Sequence, residues 1–287
     1  METSNTRYDD EGVTALLLEA RDRGASYIHL KVPGPPRFRI GGQLTRSSFP
    51  PIAPADMERI ASSLLKRGRR EGDLAHCSEI EFAFGIPEVG RYRAHIYKQR
   101  CSIGVVLRAI SMEMPTLEEL GIAQASGILK GPPGLVLVRG GTGRMRVLAA
   151  LLDDYNRTVE GHVVALCDPL EVLHDDLEAF ISQREISVDT PDYVKGMRAA
   201  LHQDPDVLAI GDVPNAQVAE LALQIAESGC FVVGCVSDSG SLDVSHWFVR
   251  IFPPHREREV SSRTKDLLRG VLTERLGSVS LWVPASR

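Results

Sequence analysis

Residues 134–156 read GLVLVRGGTGRMRVLAALLDDYN. A run of apolar β-formers leads into a glycine-rich turn and then into residues at helical spacing. That is the layout of strand, phosphate loop and helix. It predicts a strand over 134–138, a tight turn over Gly140–Gly143 and a helix over about 145–155. A working phosphate loop needs glycines whose backbone N–H groups can point inward. It also needs a lysine for the β- and γ-phosphates and a Ser or Thr hydroxyl for magnesium. Where Gly-Lys-Ser or Gly-Lys-Thr belongs, this chain has Met145, Arg146 and Val147.

Each change has a physical consequence. Met145 brings a Cβ and a long side chain to a place of close backbone approach. Arg146 keeps the charge, but its planar fork does not fit a loop wrapped around an ammonium. Val147 has no oxygen to offer a metal. Loss of one well-placed electrostatic group commonly costs roughly 2.7 to 4 kcal/mol in the transition state, and here at least two are lost or misfitted.

The whole chain bounds the alternatives. Its 287 residues, 43% hydrophobic and 25% charged, describe a globular protein with a sizeable core. No apolar run of about 18 residues is present, so no membrane insertion is expected. The opening METSNTRYDD lacks the basic and apolar regions of a secretory signal. The five cysteines form neither a CxxC pair nor a zinc-spaced cluster, and they read as reduced thiols, mostly core filler. A formal net charge of -5 argues against a general nucleic-acid binder. The one dense basic run, KRGRR at 66–70, reads as the solvated end of a helix.

The grammar changes along the chain. GVTALLLEARDR (12–23) and PADMERIASSLLKRG (54–68) are amphipathic helices ending at Gly24 and Gly68. YIHLKV, RFRIGGQL, EIEFAFGI, GRYRAHIYKQ and CSIGVVLRAI alternate as antiparallel strands. Residues 1–110 are therefore expected to be a small α+β domain. Residues 111–133, punctuated by Pro and Gly, read as a linker with a short helix. Beyond it, LVLV, HVVALC, DVLAI and CFVVGCV are short apolar runs with helical patterns between several of them. Residues 134–287 are thus expected to be an α/β domain on a mainly parallel sheet. HREREVSSRTKDLLRGVLTERL (255–276) reads as one helical run, followed by a strand-like SVSLWV.

Taken together, these words resemble the PilT-like ATPases of type IV pilus retraction, within the type II/IV secretion hexameric ATPases. GASYIHLKVPGPPRFRIGGQL resembles that family's N-domain opening, and MPTLEELGI its interdomain segment. GHVVALCDPLEVLH resembles its Asp box, and QREISVDTPDYVKGMRAALHQDPDVLAIGD its central region and Walker B strand. RIFPP matches a stretch just past its His box. The resemblance runs almost from end to end, short of the family's usual C-terminal helical extension. It implies a RecA-like P-loop NTPase domain preceded by a PAS-like N-terminal domain, and a cytoplasmic hexamer docked on an inner-membrane pilus platform.

On the family pattern, Gly140, Gly141, Thr142, Gly143, Arg144, Met145, Arg146 and Val147 are the nucleotide-binding loop. Cys167 stands where the Asp box has Glu, with Asp168 and Glu171 retained. Asp212 replaces the Walker B Glu, one methylene shorter, and VPN follows in place of a charged pair. Ser237 stands at the His-box histidine. Asp168, Glu171 and Asp212 are the candidate, vestigial, catalytic carboxylates. Asp168 before Pro169 serves equally well to cap a turn. Arg91, Arg93 and Arg108 resemble the phosphate-sensing arginines, and the same residues read equally as strand-surface charges. His162 and His174 read as ordinary hydrogen-bonded histidines, and His29 as a packing residue. Thr190 is expected to cap a helix with Pro191 at its first position.

The catalytic boxes depart together while fold-forming positions stay family-like. The expectation is a pseudo-ATPase with no metal site and no required cofactor, ATP and Mg2+ being doubtful. It would join a homo-oligomer or a mixed hexamer with an active PilT-like ATPase, or the platform protein. The alternative is a divergent but active ATP-hydrolysing hexameric motor for pilus retraction, using Arg146 and Asp212.

Overall fold

The computed structural model describes residues 8–71, 76–111, 113–141, 143–237, 244–275 and 278–284. The chain divides into two compact units, Met1–Met112 and Glu113–Arg287.

In the first unit, helix α1 (Asp10–Asp22) starts on Asp9, whose carboxylate accepts from the Gly12 N–H. Helix α2 (Pro54–Arg67) has proline in its first turn and ends at Gly68. Strands β1 (Tyr27–Lys31), β2 (Arg37–Ile40), β3 (Gln43–Arg46), β4 (Glu79–Ile86), β5 (Gly90–Gln99) and β6 (Ser102–Ile110) form an antiparallel sheet of order β3-β2-β1-β6-β5-β4. Its inward residues, among them Ile28, Phe38, Phe82, Ile96 and Leu107, pack against Leu16, Leu17, Ile60 and Leu64 of the two helices. Side chains alternate across a strand, so the other face carries Arg91, Arg93 and Arg108.

The second unit is a seven-stranded sheet among the described residues, of order β13-β12-β7-β11-β10-β8-β9. Its strands are β7 (Leu135–Gly140), β8 (His162–Cys167), β9 (Phe180–Glu185), β10 (Val207–Ile210), β11 (Phe231–Ser237), β12 (Leu268–Arg275) and β13 (Ser278–Trp282). All pairings are parallel except that of the edge strand β13 with β12. Helices α3 (Arg144–Asn156), α4 (Tyr193–Leu201), α5 (Ala216–Glu227), α6 (Val244–Arg250) and α7 (Glu257–Leu267) accompany them. Strand β7 shows why its run is apolar throughout. Val136 and Val138 face a layer with Val147, Leu148, Leu151 and Leu152 of α3, while Leu135 and Leu137 face Met197, Leu223, Phe248 and Val260 on the other side.

Three readings of the sequence change here. Residues 113–133 cluster with the second unit, where Leu117, Ile122, Ala125 and Leu129 complete the α3 layer. The cap of α4 is Asp192, whose carboxylate accepts from the Lys195 N–H at 2.8 Å. Thr190 is instead buried in a bridge to Ile186, two residues too early to cap the helix. The run 255–276 is not one helix. It stops at Leu267, and LRGVLTER becomes β12, laid parallel on β7. Burial decides this: Leu268, Val271 and Leu272 enter the two apolar layers. Gly270 permits the close approach, since a Cβ there would lie 2.8 Å from Ile128 Cδ1.

Candidate functional site

In open parallel sheets, ligand crevices form outside the carboxyl ends of the strands. Gly140 ends β7 and pairs with Ser237, which ends β11. Asp212 lies two residues beyond the end of β10, and Cys167 ends β8. The topology therefore gathers four separate sequence words at one edge of the second unit.

The side chains meet there. Arg144, the first residue of α3, sends Nη1 to the carbonyl oxygen of Gly141 (3.1 Å) and Nη2 to Asp212 Oδ1 (3.5 Å). Ser237 Oγ donates to the same Asp212 oxygen at 3.5 Å. Burial pushes the Asp212 carboxyl up from its ordinary value. The Arg144 guanidinium, the Ser237 hydroxyl and the Val213 N–H act against that shift without cancelling it. Asp212 is a carboxylate already engaged by its neighbours.

Thr142 lies outside the described residues. On either side of it, the loop spends its donors internally. The Gly141 N–H goes to Glu274 Oε2 at 3.3 Å. The Arg146 and Val147 N–H groups both go to the Gly143 carbonyl, at 3.0 and 3.3 Å. Val147 is 1% exposed within the apolar layer of α3, and Met145 packs against the same layer. Arg146 faces outward and is exposed.

A nucleotide with magnesium asks for inward N–H groups, a lysine-like charge and an oxygen at position 147. The residues present do not fit that complex. The N–H groups of Gly141, Arg146 and Val147 are committed, the charge at 146 points away from the core, and position 147 is sealed in hydrocarbon.

At the Asp box, Cys167 is buried and its thiol is pushed up to about 12, first by burial and then by the carboxylates of Glu185, Glu171 and Asp168. It stays protonated and can act neither as a carboxylate nor as a nucleophile. Glu171 is buried and Asp168 exposed. In the first unit, Arg93 stands directly across the ladder from Arg108 and pairs with Glu81 at 2.7 Å, and Arg91 lies opposite Ile110. His162 has both ring nitrogens bonded, to Gln203 O and Ser182 Oγ. His174 differs: its Nδ1 is buried with no partner among the described residues, as is His29 Nε2.

Two residues escaped the sequence reading. Tyr193 opens α4 with its hydroxyl buried and unpartnered among the described residues. Burial first, and then Cys167, Asp168, Asp212 and Cys235, pushes its phenol up. Glu274 escaped because its segment reads as helix. The signal was Gly270 amid apolar residues, which fits a closely packed strand better than a helix interior.

The sequence profile described as "Type II/IV secretion system protein" matches residues 10–243. The chain belongs to that family. Among its relatives is the type IV pilus retraction ATPase PilT of Pseudomonas aeruginosa. It is 31% identical over 267 residues, covering 92% of this chain and 77% of the relative. The type IV pilus ATPase PilU of the same organism is 28% identical over 261 residues, 89% of this chain and 67% of PilU. The crystal structure of the pilus retraction motor PilT with bound ADP superposes with a TM-score of 0.85 at 31% identity, covering 95% of this chain and 83% of that one. The ATPase DotB of Legionella pneumophila, at 21% identity and a TM-score of 0.80, shares the fold. As in other members of the type II/IV secretion family, a PAS-like unit precedes a RecA-like P-loop unit. Among the described residues, no helix is long and apolar enough to cross a membrane.

Proposed function

We propose that this family member is a pseudo-ATPase, which assembles with an active type IV pilus or secretion ATPase and tunes it without hydrolysing ATP. One observation carries the reading. At Val147, where the loop needs an oxygen for magnesium, the side chain is 1% exposed inside an apolar layer. No rotamer change supplies a ligand there, and the lost glycine and lysine at Met145 and Arg146 act in the same direction. The retained apolar layers and the kinship with PilT and PilU support a subunit that still takes part in a motor. A mixed cytoplasmic hexamer, held at the inner membrane through the platform protein, is the assembly this reading favours. In such a ring Arg91, Arg93 or Arg108 would serve a neighbouring site.

Steady-state phosphate release by the purified chain tests the catalytic half. No rate above background is expected. A rate that disappears in Asp212→Asn would overturn it, because a contaminant would not track that substitution. Co-purification with an active family ATPase or the platform protein, followed by mass measurement, tests the other half. A strictly monomeric chain that captures neither would sink it. A second reading, a divergent active motor, is favoured by one feature. Asp212 keeps a carboxylate at the end of β10, with its affinity for protons raised as a general base requires.

A further inference from the structure

Glu274 lies against both loop glycines. A Cβ on Gly140 would fall 2.8 Å from its Oε2, and a Cβ on Gly143 would fall 2.6 Å from its Cδ. Gly143 has φ of -73°, a value open to any residue, and Gly140 is not among the positive-φ glycines. Backbone strain therefore does not require glycine at either position. What requires it is the carboxylate arm packed across them, with one oxygen on the Gly141 N–H. Arg144 lays its guanidinium on the Gly140 and Gly141 carbonyls, at 3.5 and 3.1 Å, and reaches Asp212. The described residues of the loop, Gly140, Gly141 and Gly143, thus meet an anion from β12 and a cation from α3, both supplied by the chain.

We infer that Arg144 and Glu274 form a built-in lock, which fills the glycine loop with the protein's own charges and closes it to phosphate-bearing ligands independently of the changes at 145–147. This rests on the reading of the loop as a phosphate loop that no longer works, and it names what now holds that loop. A fixed carboxylate repels an incoming triphosphate. A free guanidinium would attract phosphate, but this one spends Nη1 on the loop carbonyls and Nη2 on Asp212. Restoring the motif alone leaves both in position.

The test is calorimetric titration with ATP and Mg2+ of the parent, of Met145→Gly/Arg146→Lys/Val147→Ser, and of that variant carrying Arg144→Ser and Glu274→Gln in addition. Glutamine keeps the acceptor for Gly141 and removes the charge. The fully substituted chain is expected to bind at least about tenfold more tightly than the motif-restored one. Equal affinity, or no binding by either, overturns the lock. Should the multiply substituted chains not fold, Glu274→Ala in the otherwise unchanged chain gives a second reading. Amide exchange across residues 139–147 is expected to quicken by about tenfold, and unchanged exchange overturns the lock. Turnover by the parent would instead sink the non-hydrolysing reading, so the two failures are distinguishable.

Discussion

Three helices of the second unit begin beside the same end of the sheet, and they begin differently. Helix α4 starts on Asp192, which holds the Lys195 N–H, and α5 starts on Asn215, which holds the Gln217 and Val218 N–H groups at 3.1 Å. Each end is completed by its own local sequence. Helix α3 starts on Gly143 with no side-chain cap and carries Arg144 and Arg146 in its first turn. Cations at a helix N-terminus oppose its dipole, so α3 has the least suitable local sequence of the three. Its anionic neighbours come from elsewhere in the chain: Asp212 faces Arg144, and Glu274 holds the Gly141 N–H just ahead of the helix. A helix end without a local cap leaves its first N–H groups to water, tighter turns or an outside partner. In this chain, Glu274 of β12 packs beside that end, against Gly143.

The comparison breaks most visibly if α3 is held by its first turn rather than by its apolar face. Leu151 is 1% exposed in the layer with Val136 and Val138. Leu151→Ala is expected to cost about 2 to 5 kcal/mol. The check is a lowered denaturant midpoint at unchanged slope. The cap substitutions are smaller: Asp192→Ala should cost about 1 kcal/mol by the same measurement. A loss at Asp192 as large as that at Leu151 would mean that local capping, not packing, decides this side of the sheet.

A smaller effect sharpens the account of α3. Gly143→Ala fits the backbone but displaces Glu274. It is expected to cost about 1 kcal/mol, because the 3.3 Å bond to Glu274 is long and exposed and falls below the roughly 1.5 to 3 kcal/mol usual for a charged partner. In a Glu274→Ala background the cost should fall to a few tenths, which is a coupling measurable by double-mutant cycle. Additive costs would show that Glu274 does not press on Gly143.

What was legible in the sequence follows the physics of burial. LVLV, HVVALC, DVLAI and CFVVGCV are apolar on both faces, so their place inside a covered parallel sheet could be read without any partner strand in view. Strand β9, FISQRE at the edge of the sheet, has neither an apolar run nor clean alternation, and nothing local marks it. LRGVLTER was misread for a related reason. It continues a helical run, and only contact with β7 makes it a strand, a non-local term that no window contains. At the site, the altered positions 145–147 were visible as departures from a motif. The groups that replace the missing chemistry were not. Arg144 was visible only as one position in the loop, and Glu274 was hidden by the misread strand. Tyr193 was not marked out, because nothing in VDTPDYVKG reveals that its hydroxyl is buried near Asp212.

The smallest expected effect concerns Asp212, and its sign distinguishes two accounts of the crevice. Burial raises the carboxyl's affinity for a proton more than Arg144, Ser237 and the Val213 N–H lower it. Its folded value therefore lies above the unfolded value of about 3.9. The native state then binds the proton more tightly than the unfolded chain. The contribution of this group to stability is fully present below about pH 3.9 and is lost as pH rises through the folded value. Asp212→Asn cannot titrate and removes that slope. The variant should melt about one or two degrees above the parent near neutral pH. The difference should close, or reverse, as the pH falls toward the ordinary carboxylate range. Losing the 3.5 Å contact to Arg144 costs little, because that pair is partly exposed and long. If the ion pair governed instead, the parent would be the more stable chain at neutral pH, and its advantage would grow with rising pH. Melting curves of both chains across that range decide between desolvation and pairing as the force that sets this carboxylate.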